Sequence, residues 1–339
     1  MKIIDMHCDT ISRLFDGNAK GDVQHLGKND GMVDLCRMKK ADYMVQNFAL
    51  FVDKSTQESP YEQAKRLLDF FRDEISACSD KIAQVFSIGD IKKNENEGKI
   101  SAMLTIEEGG VCEGSMEKLH FFYEQGVRMM TVTWNYPNEL GFPNYTAEGG
   151  LYIPNMKDGL TDKGIDFVRE MARIGMIIDV SHLSDAGFYD VLKYTKVPFV
   201  ASHSNARALC HVVRNLTDDM IHKLSDRGGV IGLNYSVDFL RNPPGNLSEI
   251  SLYDSGSWGK SEATLMDIAG HARHIADIGG VECLGLGSDF DGIPLNPEIA
   301  DAGEVPKLID ALEKTGFHES EIEKIFYKNV YRLYEDVLG

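Results

Sequence analysis

The chain lacks any uninterrupted apolar run of about 18 residues, the length a helix needs to cross a bilayer, so no membrane-spanning segment is expected. Its first ten residues carry Lys2, Asp5 and Asp9 where a secretory signal would need an apolar core, and a cytoplasmic location is expected. Basic residues are also scarce. Against 53 Asp and Glu there are 35 Lys and Arg, a net charge of −18 over 339 residues. So acidic a chain is poorly suited to phosphate backbones or anionic lipid, which argues against nucleic acid and membrane surfaces as partners. Cysteine is sparse and scattered: positions 8, 36, 78, 112, 210 and 283 contain no CxxC pair. Neither a disulfide framework nor a zinc ribbon is indicated, and the six read as reduced thiols, with Cys8 set apart by its place beside the first motif below. Low-complexity tracts, linkers and internal repeats are missing too, so one domain over residues 1–339 is the simplest organisation.

What is present is an alternation. Strand-length apolar runs lie near residues 2–7, 43–52, 99–105, 127–133, 176–181, 198–202, 228–234 and 283–288. Helical patterns separate most of them, as at 62–78, where Leu67, Phe71 and Ile75 share a face, and at 162–174, 185–193, 218–226 and 261–278. Eight strands alternating with helices predict an α/β fold of the (β/α)8 TIM-barrel kind. Two stretches after strands, 135–159 and 240–260, are too long for plain connectors and are expected to wall the catalytic face. The C-terminal segment from about 303 is helical, and its last helix, 320–338, is expected to close the outside of the barrel through Ile322, Ile325, Phe326, Val330, Leu333 and Val337.

In such a barrel the strands fill the core and only their C-terminal tips meet substrate, so polar residues at the tips are the candidates for chemistry. The first strand ends IIDMHCDT, with His7 and Asp9 two residues apart. The third ends in the turn Glu107, Glu108, Gly109, Gly110, where two buried carboxylates would repel unless a cation compensates them. The fifth ends IIDVSHLS at His182, the sixth FVASHSN at His203, and the eighth LGLGSDFDG at Asp289 and Asp291. Imidazole and carboxylate without thiolate suit zinc, manganese, iron or cobalt, and one carboxylate can bridge two ions. The set has the size of a dinuclear hydrolase centre.

These residues resemble the membrane dipeptidase (renal dipeptidase) family, peptidases of the amidohydrolase superfamily. The most specific stretch is EGGVCEGSMEKLHFFYEQGVRMMTVTW, residues 108–134, and the HxD opening, DVSH, SHS and GSDFDG follow the family's order. Carried over, the resemblance implies two divalent ions, with zinc the expected metal. His7 and Asp9 would hold one, His182 and His203 the other, and Glu108, which directly precedes the two glycines, would bridge them, leaving Glu107 as a neighbour. It further implies Asp289 as the acid/base beside a bridging hydroxide and Arg214, in VVRN, as the holder of the substrate's C-terminal carboxylate. Asp5, Arg128 and Asp291 read as structural. Many relatives carry His where this chain has Trp134, and this indole is expected to line and narrow the pocket. The expected substrate is a dipeptide, L,L or with a D residue at the C-terminal position. A homodimer is implied by the frequency of dimers in the family. The signal peptide and lipid anchor of animal members are not expected in this chain.

Two dinuclear alternatives stay open from the residues alone, deacylation of an N-acyl amino acid and opening of a lactone, because two metals and a hydroxide do not dictate the bond broken. A metal- or partner-binding protein without catalysis is a third.

Overall fold

A computed structural model describes residues 1–54, 59–145, 153–242, 263–294 and 296–339. Nine strands occur among them: β1 (Ile3–Asp5), β2 (Tyr43–Phe51), β3 (Ile82–Gln84), β4 (Ile100–Glu107), β5 (Val127–Thr131), β6 (Ile177–Asp179), β7 (Val200–Ala201), β8 (Val230–Leu233) and β9 (Leu284–Leu286). All pair in parallel. Eight of them, β1, β2, β4 and β5 to β9 in that order, close into a ring through the β1–β2, β2–β4 and β1–β9 pairings, giving the (β/α)8 barrel expected from the sequence.

The ninth, β3, was not foreseen. It pairs with β4 from Ile82 opposite Ile100 to Gln84 opposite Ala102, while β5 takes over the same edge only from Leu104 onward. Three residues, IAQ, are too short for a period-2 signal to rise above background. The helices expected at 162–174 and 218–226 fall where the periodicity put them, and that expected at 62–78 forms as Pro60–Ala77. The helix expected from 261 begins, among the described residues, at Leu265 behind the N-cap Thr264. Most of the 240–260 stretch and part of 135–159 lie outside the described residues.

Alternation along the strands sorts side chains into two cores. On β4, Ala102, Leu104 and Ile106 join the large cluster shared with the surrounding helices, while Met103 belongs to a smaller cluster with Ile4, Met6, Val45, Met129, Ile177, Val200 and Val230 from the other barrel strands. That smaller cluster also takes in Val330, Leu333 and Tyr334. The C-terminal segment therefore does two things: Ile322, Ile325 and Phe326 close the outside of the barrel as expected, while Val330, Leu333 and Tyr334 pack into its interior cluster, which the sequence did not suggest. Tyr334 donates through its hydroxyl to Asn47 Oδ1 at 2.8 Å, and Asn329 Nδ2 donates at 2.8 Å each to the carbonyls of Val281 and Leu284, at the start of β9. The segment also changes winding, from α at Glu319–Glu323 through a π turn at Lys324–Lys328 to α at Asn329–Leu338. Higher in the barrel the wall is drawn tight around Ser202: a Cβ at Gly232 or Gly287 would collide with its carbonyl oxygen. No helix among the described residues is long and apolar enough to cross a membrane.

Candidate metal centre and active site

The strand tips bring six side chains into one buried cluster. His7 Nε2 lies 3.4 Å from Asp9 Oδ2, 3.3 Å from Glu107 Oε2 and 3.8 Å from Asp289 Oδ1. His182 Nε2 lies 3.0 Å from Glu107 Oε1 and 3.0 Å from His203 Nε2, and His203 Nε2 lies 3.6 Å from the same Glu107 oxygen. The rings of His7 and His203 stack with centroids 4.0 Å apart. Three overlapping groups have the spacing to hold a cation: His7, Asp9 and Glu107; Glu107, His182 and His203; and His7, His203 and Asp289.

Glu107, not Glu108, is the glutamate of this cluster, which corrects the assignment made from the sequence. Burial does not separate the two, at 3% and 0% exposed; direction does. Glu107 is the last residue of β4 and continues the inward row of Met103 and Thr105. Glu108 has left the strand with φ at +88°, and its carboxylate accepts from Gly110 N at 2.7 Å, Trp134 N at 2.7 Å and Asn138 Nδ2 at 2.6 Å. It ties the tip of β4 to the chain beyond β5, a structural duty that engages both of its oxygens away from the cluster.

A second layer of polar groups aims the histidines. Asp179, at the end of β6, accepts from Thr131 Oγ1 at 2.6 Å, Ser202 Oγ at 2.5 Å, Ser202 N at 2.9 Å and Ser181 N at 3.0 Å. Because the Ser202 hydroxyl donates to Asp179, its oxygen accepts from His203 Nδ1 at 2.8 Å. Asn135 Oδ1 likewise accepts from His182 Nδ1 at 2.7 Å. Both rings thereby carry their proton on Nδ1 and turn bare Nε2 lone pairs toward each other, an arrangement that calls for a positive charge between them. On the far side Asn234 Nδ2 donates to Asp289 Oδ2 at 2.8 Å and to His203 O at 3.3 Å. His182 and Asp289 sit at φ of +68° and +63°, left-handed conformations that re-aim side chains at the strand ends.

The electrostatics are those of buried carboxylates in surplus. Burial, reinforced by Asp9 and Asp289 against the opposing pull of His7, lifts Glu107 to about 7. Burial also raises Asp289, with Asp9 adding to it. At His7 burial disfavours the charged form, but Glu107 and Asp9 prevail and hold its pKa well above the ordinary value. Burial and the positive charges of Arg214 and His7 keep His182 and His203 well below theirs. His7 Nε2 and Asp9 Oδ1 are buried without a hydrogen-bond partner among the described residues. Donors of this kind, nitrogen and carboxylate oxygen with no thiolate, fit divalent metal ions.

A profile of the membrane dipeptidase family, peptidase family M19, matches residues 1–338. The chain belongs to that family. It is a hydrolase of the metallo-dipeptidase kind. An uncharacterised dipeptidase of Schizosaccharomyces pombe is 32% identical over 315 residues, 89% of this chain and 71% of that protein. An uncharacterised protein of Klebsiella pneumoniae is 32% identical over 265 residues, 78% of this chain and 92% of that one. Among solved structures, a Rhodobacter sphaeroides metallopeptidase bound to a phosphinate mimic of the dipeptide L-Ala-D-Ala superposes with a TM-score of 0.86 at 25% identity, covering 99% of both chains. A family M19 dipeptidase superposes equally well, at 27% identity over 100% of this chain and 99% of that one.

The enzyme's cluster opens into a cavity of about 660 Å³. Aromatic Phe51, Trp134 and Tyr145 line part of it, and Arg214, Asp238 and Phe239 another. Arg214 is 4% exposed, and among the described residues its guanidinium makes only long contacts, 3.3 Å to His203 O and 3.5 Å to Ser204 Oγ, with Nε unpartnered. No carboxylate among the described residues lies within ion-pair distance of it. Trp134 packs edge-on against Phe51 at 5.0 Å and Tyr136 at 5.5 Å, with its ring 6.2 Å from that of His182. Asp291 is occupied elsewhere, accepting from Thr10 Oγ1 and Met32 N at 2.7 Å each, and Asp5 accepts from Ser288 N at 2.9 Å. Arg128 donates to the carbonyls of Phe86, Tyr123 and Val127. Sequence reasoning passed over Asp179, Ser202, Asn135 and Asn234, whose duties arise only when distant strands meet.

Proposed function

We propose that this chain hydrolyses dipeptides with two divalent ions, zinc being the expected metal, held by His7, Asp9, Glu107, His182 and His203. The observation that carries this reading is Glu107, whose two carboxylate oxygens face different partners: Oε2 the His7 side and Oε1 the two bare nitrogens of His182 and His203. Ions held there supply Lewis acidity, acidifying water and polarising a scissile carbonyl.

The chain's own groups do the rest. Asp289 keeps Oδ2 on Asn234, while Oδ1 faces the cluster and can take a proton from the attacking water and pass it to the leaving amine. Arg214, a buried cation without a counter-ion among the described residues, holds the C-terminal carboxylate and so fixes which bond reaches Asp289. The Rhodobacter relative's L-Ala-D-Ala mimic supports acceptance of a D residue at that end. Arg214→Met is expected to lower kcat/KM for a dipeptide by about 2 to 5 kcal/mol in transition-state stabilisation, and far less for the corresponding dipeptide amide. Steady-state kinetics on the pair decides it. Equal losses would place Arg214 outside carboxylate recognition and reopen the deacylase and lactonase readings.

Trp134 walls the side of the cavity next to His182. Its packing on Phe51 and Tyr136 makes that wall rigid, which restricts the side chains accepted there. Replacing it with Phe or His should reorder kcat/KM across a panel of dipeptides that differ in side-chain size. An unchanged ranking in both variants would reduce Trp134 to packing.

A further inference from the structure

Asp238 lines the same cavity as Arg214 but has none of its neighbours' obligations. It lies on the short helical turn Val237–Leu240 that follows β8, and no Lys, Arg or His nitrogen among the described residues comes within 4.0 Å of its carboxylate. Nor does its side chain accept a hydrogen bond from them. Burial alone pushes its carboxyl up to about 7, as expected of an acid partly withdrawn from water with no cation beside it among the described residues. The turn that carries it is fixed from behind: Cys210 Sγ donates to the carbonyl of Asp238 at 3.4 Å, and Asn215 Nδ2 to that of Phe239 at 2.9 Å. The next residue, Phe239, supports the Arg214 guanidinium, 5.1 Å from its ring centroid. Asp238 thus belongs to the wall beside the carboxylate-binding Arg214, yet leaves that cation's charge unspent.

Resting on the dipeptidase reading above, we propose that Asp238 is a specificity residue that recognises a cationic side chain, lysine or arginine, on the C-terminal residue of the dipeptide. Arg214 takes the main-chain carboxylate of that residue, and a long basic side chain extends from the same Cα along the cavity wall to the Asp238 carboxylate. A partly desolvated carboxylate is worth most to a ligand that brings its missing charge, and discriminates against neutral chains of equal length that leave it unpaired.

The experiment compares L-Ala-Lys with L-Ala-norleucine, which has a side chain of similar length without the charge, and with L-Ala-Gly, each with the metal-loaded enzyme and with both stereoisomers of the C-terminal residue where one exists. The parent enzyme is expected to favour lysine over norleucine by about tenfold or more in kcat/KM, in the range of a hydrogen bond to a charged group. In Asp238→Asn the ratio should fall toward one. Because the ratio is taken within one protein, a general loss of activity or of folded enzyme cancels. Asp238→Lys should turn the preference toward L-Ala-Glu over L-Ala-Gln. A lysine-to-norleucine ratio near one in the parent, or one unchanged in Asp238→Asn, overturns the proposal while leaving the dipeptidase reading intact. Failure to cleave all of these, L-Ala-Gly included, would instead bring down the dipeptidase reading and this proposal with it.

Discussion

Glu107→Gln is expected to lose bound metal and to drop in kcat/KM by roughly 10³-fold or more at limiting metal, beyond the 10- to 100-fold typical of removing an outer partner of a ligand. Glu108→Gln is expected to keep its metal. The contrast rests on where the two carboxylates point. Glu107 stands between His7 on one oxygen and His182 and His203 on the other. An amide there offers one oxygen and one NH2, so one side of the cluster would face hydrogen-bond donors where it needs an anion. Glu108 instead accepts three hydrogen bonds from Gly110, Trp134 and Asn138. An amide in its place turns one of those contacts into donor against donor, which should cost about 1 to 3 kcal/mol of stability and disturb Trp134. Metal analysis of the two purified variants, with chemical denaturation of each, separates them. Full metal occupancy in Glu107→Gln would overturn the assignment of the central carboxylate.

That pair also shows how far the sequence could be read. The strand read at 99–105 stops two residues short of the end of β4 at Glu107. Extending the same alternation places Glu107 on the inward face of Met103 and Thr105 and Glu108 off it, so the signal was local and present; matching the glutamate to the glycines that follow it overrode the pleat. Other features had no local signal. Asp179 reads as one polar residue inside an apolar run, and becomes the anchor of His203 only because β7 lays Ser202 against it. The periodicity of the C-terminal segment identifies an apolar face but not that its first part, at Ile322 to Phe326, meets the flank of the barrel while its last helix turns Val330, Leu333 and Tyr334 into the interior, where Tyr334 pairs with Asn47, 287 residues away in sequence. The eight barrel strands and five of the six clustered side chains were legible because each is set by a short pattern: an apolar run followed by a polar tip.

Asp289→Asn is expected to retain metal while kcat falls by roughly 10² or more, the usual contribution of a general acid/base. The substitution is close to isosteric, and the left-handed backbone at this position, φ +63°, suits Asn at least as well as Asp. Asn234 Nδ2 would still find an oxygen to donate to, which leaves the new NH2 on the side facing His7, where the carboxylate oxygen now stands 3.8 Å from Nε2. The variant therefore keeps the fold and the contact to Asn234 and removes only the capacity to accept and return a proton. The pH dependence carries a second sign. A base acts in its ionised form, so the parent should lose kcat as pH falls through the pKa of the Asp289 carboxyl, and that acidic limb should flatten in the Asn variant. Because Asp289 also lies within reach of a cation shared with His7 and His203, the metal content of the variant discriminates between roles. Loss of an ion would make Asp289 a ligand, and a normal kcat would remove it from the proton relay. Retained metal with a slow, pH-flat kcat assigns it the proton that links attack on the peptide carbonyl to departure of the amine.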